Sequence, residues 1–160
     1  MKLLYLKEHL SCINYQVAYN TGFVFCELRK EENSSIDNES SFCVIFLLTE
    51  FQALQDKQGF WHSSLLDIAS YPMPETSSSA FFTYSLFWGI NRGYLEKEKY
   101  LSIAEKAWHA LTSIVHEDGK VGYVQPIGAD PKKVDINDTE VYGTGAFLMA
   151  ATEYIKYLKH

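Results

Sequence analysis

Apolar residues recur with a helical period from about residue 42 to the end of the chain. The clearest stretch is Glu96–Glu117, where charged residues occupy the face opposite to an apolar set that comprises Tyr100, Ile103, Ala104, Ala107, Trp108, Leu111, Ile114 and Val115. Spacings of i, i+3, i+4, i+7 and i+8 predict an amphipathic helix. Asp118 and Gly119 are expected to end it, because glycine accepts the left-handed cap conformation.

Three further helices are predicted around this one. Phe42–Lys57 fits one helix, and Ser78–Arg92 is apolar on most sides, which is typical of a buried helix. Gly143–Lys159 is predicted as the last helix, with basic residues at the end where the helix dipole favours them. Mostly apolar helices therefore alternate with an amphipathic one, as in a two-layer ring whose inner helices are buried on both sides. The predicted fold class is all-α, with about four helices in residues 42–159.

Residues 1–41 differ in character from the rest of the chain. Val17–Leu28 is rich in β-branched and aromatic residues around Gly22, which fits a strand or hairpin. Lys30–Ser41 is a polar tract with the composition of a loop or linker. The chain is therefore expected to divide into a divergent N-terminal segment and linker, residues 1–41, and a set of helical hairpins, residues 42–160.

Two segments of the chain repeat the same motif. Residues 56–81 contain a glycine turn, an aromatic residue, a polar loop, a pair of Thr and Glu, and the start of an apolar helix, and residues 118–147 repeat this order. Glu75 and Glu140 lie 65 residues apart in the two copies. Such a period, with helices between, suggests stacked helical hairpins. The repeated loops are expected to gather at one end of the assembly, where sites tend to be built.

Composition narrows the class of protein. Of 160 residues, 47% are hydrophobic and 15% aromatic, which favours a packed core over disorder and predicts one domain or a piece of one. The net charge of −6, with scattered basic residues, argues against a nucleic-acid partner. Three cysteines without a secretory signal predict reduced thiols and a cytoplasmic location. Phe42–Leu48 is too short to cross a bilayer, so no membrane partner is expected.

An ordered series of motifs resembles a known family over roughly residues 45–158. The motifs are Gly-Phe-Trp-His, Tyr-Pro-Met-Pro-Glu-Thr-Ser-Ser-Ser-Ala-Phe, Trp-Gly-Ile-Asn-Arg-Gly, Gly-Tyr-Val-Gln-Pro-Ile-Gly-Ala-Asp-Pro and Asp-Thr-Glu-Val-Tyr-Gly-Thr-Gly-Ala-Phe-Leu. Several long motifs in one order are far more specific than a single short motif. The series resembles the C-terminal part of glycoside hydrolase family 105, the unsaturated rhamnogalacturonyl hydrolases, which are related to the unsaturated glucuronyl hydrolases of family 88.

The resemblance implies part of an (α/α)6 barrel and a role in pectin degradation. The family acts on the C4–C5 unsaturated uronyl end that pectin lyases leave, so an unsaturated oligosaccharide is the expected partner. An Asp protonates the enol-ether double bond and activates water, and no metal or organic cofactor is implied. The two-carboxylate scheme of ordinary glycosidases does not apply directly.

The chain also departs from the family pattern. Family members are roughly twice as long or more, as a six-hairpin ring requires. Their catalytic Asp and an Arg-Gly-Asn-x-Trp segment lie in the N-terminal half, and neither is found here. We therefore expect a truncated chain that is inactive on its own, and we assign no catalytic residue. The alternative is a non-catalytic helical module that binds sugar or a protein partner. The open side of an unfinished barrel also predicts a homo-oligomer.

Trp61 and His62 are the first candidates for substrate binding, because the resemblance places them near the sugar cleft. One interpretation is that Trp61 stacks on a sugar ring and His62 donates a hydrogen bond to a carboxylate or hydroxyl. The other is that both residues brace the loop. Ser63 stands where the family often has Gln, which weakens a polar contact. No pair of His and Cys residues has the spacing of metal ligands.

The second group of candidates surrounds the start of the helix at residue 78. Glu75, Thr76 and Ser77 precede it, and hydroxyls and free backbone N–H groups at a helix N-terminus suit a uronate carboxylate. The alternative is that Thr76 or Ser77 is an N-cap and Glu75 fixes a neighbouring loop. Tyr142 occurs at the equivalent place in the second copy of the motif, and Tyr123 is expected to border the same cleft.

Overall fold

The computed structural model describes residues 52–128 and 131–159. In this part of the chain α1 comprises Thr76–Asn91, α2 Lys97–Ser113 and α3 Val141–Leu158. The remaining described residues form turns, loops and two isolated β-bridges, which pair His62 with Pro74 and Val115 with Val121. The all-α prediction is therefore confirmed for the described residues. The predicted N-terminal segment and most of the predicted first helix lie outside them.

The boundaries of the helices differ from the predicted ones for identifiable reasons. The helix predicted from Ser78 begins two residues earlier, because the carboxylate of Glu75 caps it. The helix predicted to end at Lys57 stops being helical after Ala53. The last helix, predicted over Gly143–Lys159, occupies Val141–Leu158.

The prediction that α2 runs to Glu117 was wrong. The helix ends at Ser113, and Val115 pairs with Val121 instead of continuing the helical turn. Gly119 does adopt a left-handed conformation, with φ of +85°. It lies in the turn that closes the bridge between Val115 and Val121, however, and does not cap the helix.

α1 is the central helix, and it packs against both α2 and α3. Near its C-terminal end, the side-chain amide of Asn91 donates a hydrogen bond to the backbone oxygen of Glu153, close to the end of α3. The N-terminal ends of the same two helices also lie close together, because Thr76 in α1 donates hydrogen bonds to a segment whose Val124 lies against Gly143 in α3. α1 and α3 therefore run in the same direction, whereas α2 returns antiparallel to α1 after a short loop.

Two groups of buried side chains make up the core between these helices. The predicted apolar face of α2 contributes to both, and Tyr100, Ala104, Ala107 and Leu111 are buried. One group surrounds Phe87 and also contains Trp61, Leu65, Phe82, Leu86, Leu95, Tyr100, Ala104 and Ala107. The other lies nearer the start of α1 and contains Phe60, Ala80, Ala110, Leu111, Ile114, Val121 and Ala146.

α3 is buried on one side only, which differs from the expectation of an inner helix buried on both. The side that faces α1 and α2 carries its buried residues, namely Gly143, Ala146, Ala150 and Glu153. The opposite side carries exposed apolar residues, namely Val141, Leu148, Met149, Ile155 and Leu158. The mostly apolar composition of α3 therefore reflects two apolar faces, and the described residues cover one of them.

Candidate functional site

The starts of α1 and α3 lie side by side, and the segment Gly122–Val124 joins them. The backbone N–H of Thr76 donates to the carbonyl oxygen of Tyr123 at 3.1 Å, and its hydroxyl donates to that of Gly122 at 2.6 Å. On the other side, the methyl groups of Val124 lie 2.6 Å from where a Cβ on Gly143 would stand. The two repeated segments of the sequence therefore meet at one end of the helices.

Glu75 occupies the position at the start of α1 where an anion would otherwise bind. One carboxylate oxygen accepts from the backbone N–H of Ser77 at 3.1 Å and from its hydroxyl at 2.8 Å, and the other accepts from the N–H of Ser78 at 2.7 Å. The carboxylate is buried, with 5% of the residue exposed. The N-cap interpretation therefore describes this helix start, although Glu75 is the capping residue and not Thr76 or Ser77. The hydroxyls of Thr76 and Ser77 are both used inside the chain.

Trp61 and His62 are buried at the start of the loop that precedes α1. The indole of Trp61 is 1% exposed and packs on Phe82, with ring centroids 5.1 Å apart. The ring of His62 has Nε2 3.1 Å from Oδ2 of Asp56 and Nδ1 3.0 Å from the carbonyl oxygen of Met73. Both ring nitrogens therefore face oxygens of the chain itself. In this arrangement the two residues brace the loop, and neither side chain offers a surface to a ligand.

Asp56 organises the turn before Trp61, and the sequence reasoning missed it. Its Oδ1 accepts hydrogen bonds from the backbone N–H groups of Gln58, Gly59 and Phe60, at 2.8, 2.7 and 2.9 Å. The ammonium group of Lys106 in α2 donates to its backbone oxygen at 2.6 Å. An Asp followed by glycine three residues later is a signal for this kind of turn, because an Asp side chain bonds readily to the backbone that follows.

Tyr142 lies half-buried at the start of α3, close to both repeated glutamates. Burial raises the pKa of its phenol, and the charges of Glu75 and Glu140 raise it further, to about 12. The phenol is therefore protonated at neutral pH and can donate a hydrogen bond. Glu140 is exposed and makes no capping hydrogen bond to α3, in contrast to Glu75 in α1.

Tyr123 has a strained backbone, with φ of +55°. Its N–H donates to the carbonyl oxygen of Asp135 at 3.0 Å, and its own carbonyl oxygen accepts from Thr76. A bulky residue in the left-handed region costs on the order of 1–2 kcal/mol, and such residues cluster at functional sites. The two hydrogen bonds hold this conformation between the starts of α1 and α3.

Residues 52–128 and 131–159 contain neither a cluster of metal ligands nor a helix that could span a membrane. No group of three or more His, Cys, Asp or Glu side chains there is arranged to hold a metal ion. None of the helices in this part of the chain combines the length and the apolar composition needed to cross a bilayer. The cytoplasmic location stays a prediction.

Comparison with known proteins gives consistent matches over most of the chain. Residues 31–158 match the model of Glycosyl Hydrolase Family 88. The chain is 48% identical over 103 residues to an unsaturated 3S-rhamnoglycuronyl hydrolase of Formosa agariphila, covering 64% of this chain and 27% of that protein. It is 41% identical over 107 residues to a protein of the same name from Alteromonas sp. (strain LOR), covering 67% of this chain and 26% of that one.

A solved structure agrees with these relatives. It is a glycosyl hydrolase family 88 protein from Bacteroides vulgatus, which superposes with a TM-score of 0.75 at 38% identity and covers 81% of this chain and 39% of its own. The chain thus spans 27% or less of the length of the two curated relatives. What those proteins do as wholes does not transfer directly to a chain of this length.

Proposed function

This chain belongs to glycosyl hydrolase family 88, and on that premise we propose that it binds an oligosaccharide ending in a C4–C5 unsaturated uronyl residue. Two relatives are unsaturated 3S-rhamnoglycuronyl hydrolases, which supports a substrate in which that residue is joined to rhamnose. The helices would form part of an (α/α)6 barrel, with the sugar at the end where α1 and α3 begin. A pectin-derived sugar is one member of this substrate class.

The strained backbone of Tyr123 is the observation that carries the proposal. A bulky residue keeps φ of +55° only where its surroundings impose it. Here the hydrogen bonds to Thr76 and Asp135 impose it, at the point where the two repeated motifs meet. The strain therefore supports a binding surface at this end of the helices.

Tyr142 is the side chain that we propose to contact the sugar. Its phenol stays protonated well above neutral pH, because burial and the charges of Glu75 and Glu140 raise its pKa to about 12. Two nearby carboxylates disfavour a second anion, so a sugar hydroxyl suits this donor better than the uronate carboxylate. This refines the sequence-based expectation that the start of α1 binds the carboxylate.

We propose that the chain on its own binds this sugar without cleaving it. Three buried or half-buried carboxylates in the described part of the chain hold other groups in place. Asp56 accepts from three backbone N–H groups and faces His62, Glu75 caps α1, and Glu153 faces Lys156. None of these three is free to protonate a double bond, so we assign no catalytic residue among them.

Calorimetric titration with an unsaturated uronyl–rhamnose disaccharide tests the role of Tyr142. The variant Tyr142→Phe should bind about threefold to tenfold more weakly, as expected for the loss of one hydrogen bond. The matched control is Tyr94→Phe, since Tyr94 is 48% exposed and lies after the other end of α1, stacked on Trp88. Equal binding by both variants would remove Tyr142 from the site, and absence of binding by the unmodified chain would overturn the proposal.

A further inference from the structure

The uronyl end of the proposed sugar carries a carboxylate, and a cation is its natural partner. The backbone N–H groups at the start of α1 already bind the carboxylate of Glu75. The phenol of Tyr142 lies near two negative charges, so it suits a sugar hydroxyl better than an anion. A positively charged side chain close to the starts of α1 and α3 is therefore required.

Some lysines in this region are already engaged with other groups of the chain. The ammonium group of Lys106 donates to the backbone oxygen of Asp56 at 2.6 Å, and that of Lys120 lies 3.0 Å from a carboxylate oxygen of Asp118. The lysines of the loops at this end that form no ion pair within the described part of the chain are Lys57, Lys132 and Lys133.

The backbone of Lys132 is held by the side chain of Gln125. The amide oxygen of Gln125 accepts from the N–H of Lys132 at 2.8 Å, and its amide nitrogen donates to the carbonyl oxygen of Lys132 at 2.6 Å. A donor and an acceptor contact to the same residue fix its backbone as a neighbouring β-strand does. The side chain of Lys132 therefore extends from a fixed point of the chain.

The same contacts place Lys132 near the proposed position of the sugar. Val124 lies against Gly143, the residue that follows Tyr142 in α3. Gln125 follows Val124 directly, and its side chain pairs with Lys132. Lys132 is therefore next to the segment that joins the starts of α1 and α3.

We propose that Lys132 binds the carboxylate of the unsaturated uronyl residue and that Gln125 is the positioning residue for Lys132. This inference rests on the proposed function, because it takes the sugar to lie where α1 and α3 begin. Tyr142 donates to a sugar hydroxyl, and the ammonium group of Lys132 forms a charge-assisted hydrogen bond with the carboxylate. A sugar whose carboxyl group is esterified cannot form that ion pair, so the site prefers the free acid.

Calorimetric titration with the unsaturated uronyl–rhamnose disaccharide and with its methyl ester tests the role of Lys132. Lys132→Gln should bind the free acid about tenfold more weakly, as expected for the loss of one hydrogen bond to a charged group. The same variant should bind the ester within about twofold of the unmodified chain. Lys133→Gln is the matched control, since it removes the same charge from the next residue and should weaken free-acid binding by less than about twofold.

A double-mutant cycle tests the role of Gln125. Gln125→Met keeps the length of the side chain but removes both hydrogen bonds to Lys132, so it should weaken free-acid binding about threefold to fivefold. Adding Gln125→Met to Lys132→Gln should cause no further loss, because Gln125 acts through Lys132. Additive losses, or an equal loss of ester binding in Gln125→Met, would show that Gln125 does not act by positioning Lys132.

The two sugars separate this inference from the proposed function. Equal weakening of free-acid binding by Lys132→Gln and Lys133→Gln would overturn the assignment of Lys132, although the sugar would still bind. Absence of binding heat with both sugars would contradict the proposed function, and this inference with it. Thermal unfolding and ester binding confirm that the variants remain folded.

Discussion

Replacing Glu75 by glutamine (Glu75→Gln) tests how the start of α1 is held. The carboxylate accepts from the N–H and hydroxyl of Ser77 and from the N–H of Ser78. Glutamine keeps the size of the side chain but retains a single acceptor oxygen and turns an NH₂ group towards an N–H donor. It also removes a negative charge from the positive end of the helix dipole.

The magnitude follows from these contacts. A hydrogen bond to a charged group contributes about 1.5–3 kcal/mol, and a charge at a helix terminus contributes about 0.3–1 kcal/mol when exposed and more when partly buried. We therefore expect Glu75→Gln to lower the free energy of unfolding by about 2–4 kcal/mol. This is a large share of the roughly 5–15 kcal/mol that stabilises a typical domain.

The second copy of the motif provides the control. Glu140 precedes α3 as Glu75 precedes α1, but Glu140 is exposed and makes no capping bond. Glu140→Gln should therefore change the free energy of unfolding by less than about 0.5 kcal/mol. Urea unfolding followed by circular dichroism at low protein concentration measures both variants. Equal effects in the two variants, or a negligible effect of Glu75→Gln, would refute the capping role. Both changes should lower the pKa of Tyr142, Glu75→Gln by more, which NMR titration of its ring detects.

Further variants probe α3 and its neighbours. Gly143→Ala should destabilise the fold by about 1–3 kcal/mol, because the added Cβ would overlap Val124. At Gly145 an added Cβ meets open space, so Gly145→Ala should stabilise the fold by up to about 1 kcal/mol, measured by thermal unfolding at submicromolar concentration. Glu153→Gln should cost about 1–3 kcal/mol near neutral pH. Burial raises the pKa of Glu153, but hydrogen bonds from Lys156 and Asn91 and the charges of Lys156 and Arg92 outweigh burial and lower it below its usual 4.5. The carboxylate therefore stabilises the fold above about pH 4.5, and the difference between Glu153→Gln and the unmodified chain should shrink in urea titrations as the pH falls below that value.

The helical period predicted the helices and the buried face of α2, because side chains three and four residues apart share one face wherever the helix packs. It did not predict where α2 ends. The period continues through Ile114 and Val115, but Val115 pairs with Val121, and this pairing depends on a turn that the local pattern does not encode. A helix end of this kind is decided by a contact outside the helix.

The sequence predicted which helix ends lie together better than it predicted the bonds that the residues there make. The repeated motif correctly indicated that the starts of α1 and α3 meet. It did not indicate that Glu75 would fold back as a cap, because Ser, Thr, Asp and Asn are the usual caps. Trp61 in a glycine-rich motif is equally compatible with a cleft and with a core, and only packing against Phe82 distinguishes the two. The substrate contacts of the seven candidates stay predictions.

The central claim is tested most directly by titrating the purified chain with a C4–C5 unsaturated uronyl–rhamnose disaccharide in a calorimeter. The ultraviolet absorbance of the double bond is followed in the same samples. A second titration with a rhamnogalacturonan-derived disaccharide, which carries the same unsaturated end, compares the binding of the pectin-type sugar with that of the first disaccharide. We predict saturable binding heat, weakened by Tyr142→Phe, and constant absorbance. Loss of absorbance would show that a proton donor operates in this chain. Absence of saturable heat would show that the sugar does not bind at the end of the helices where α1 and α3 begin. Either result would contradict the account.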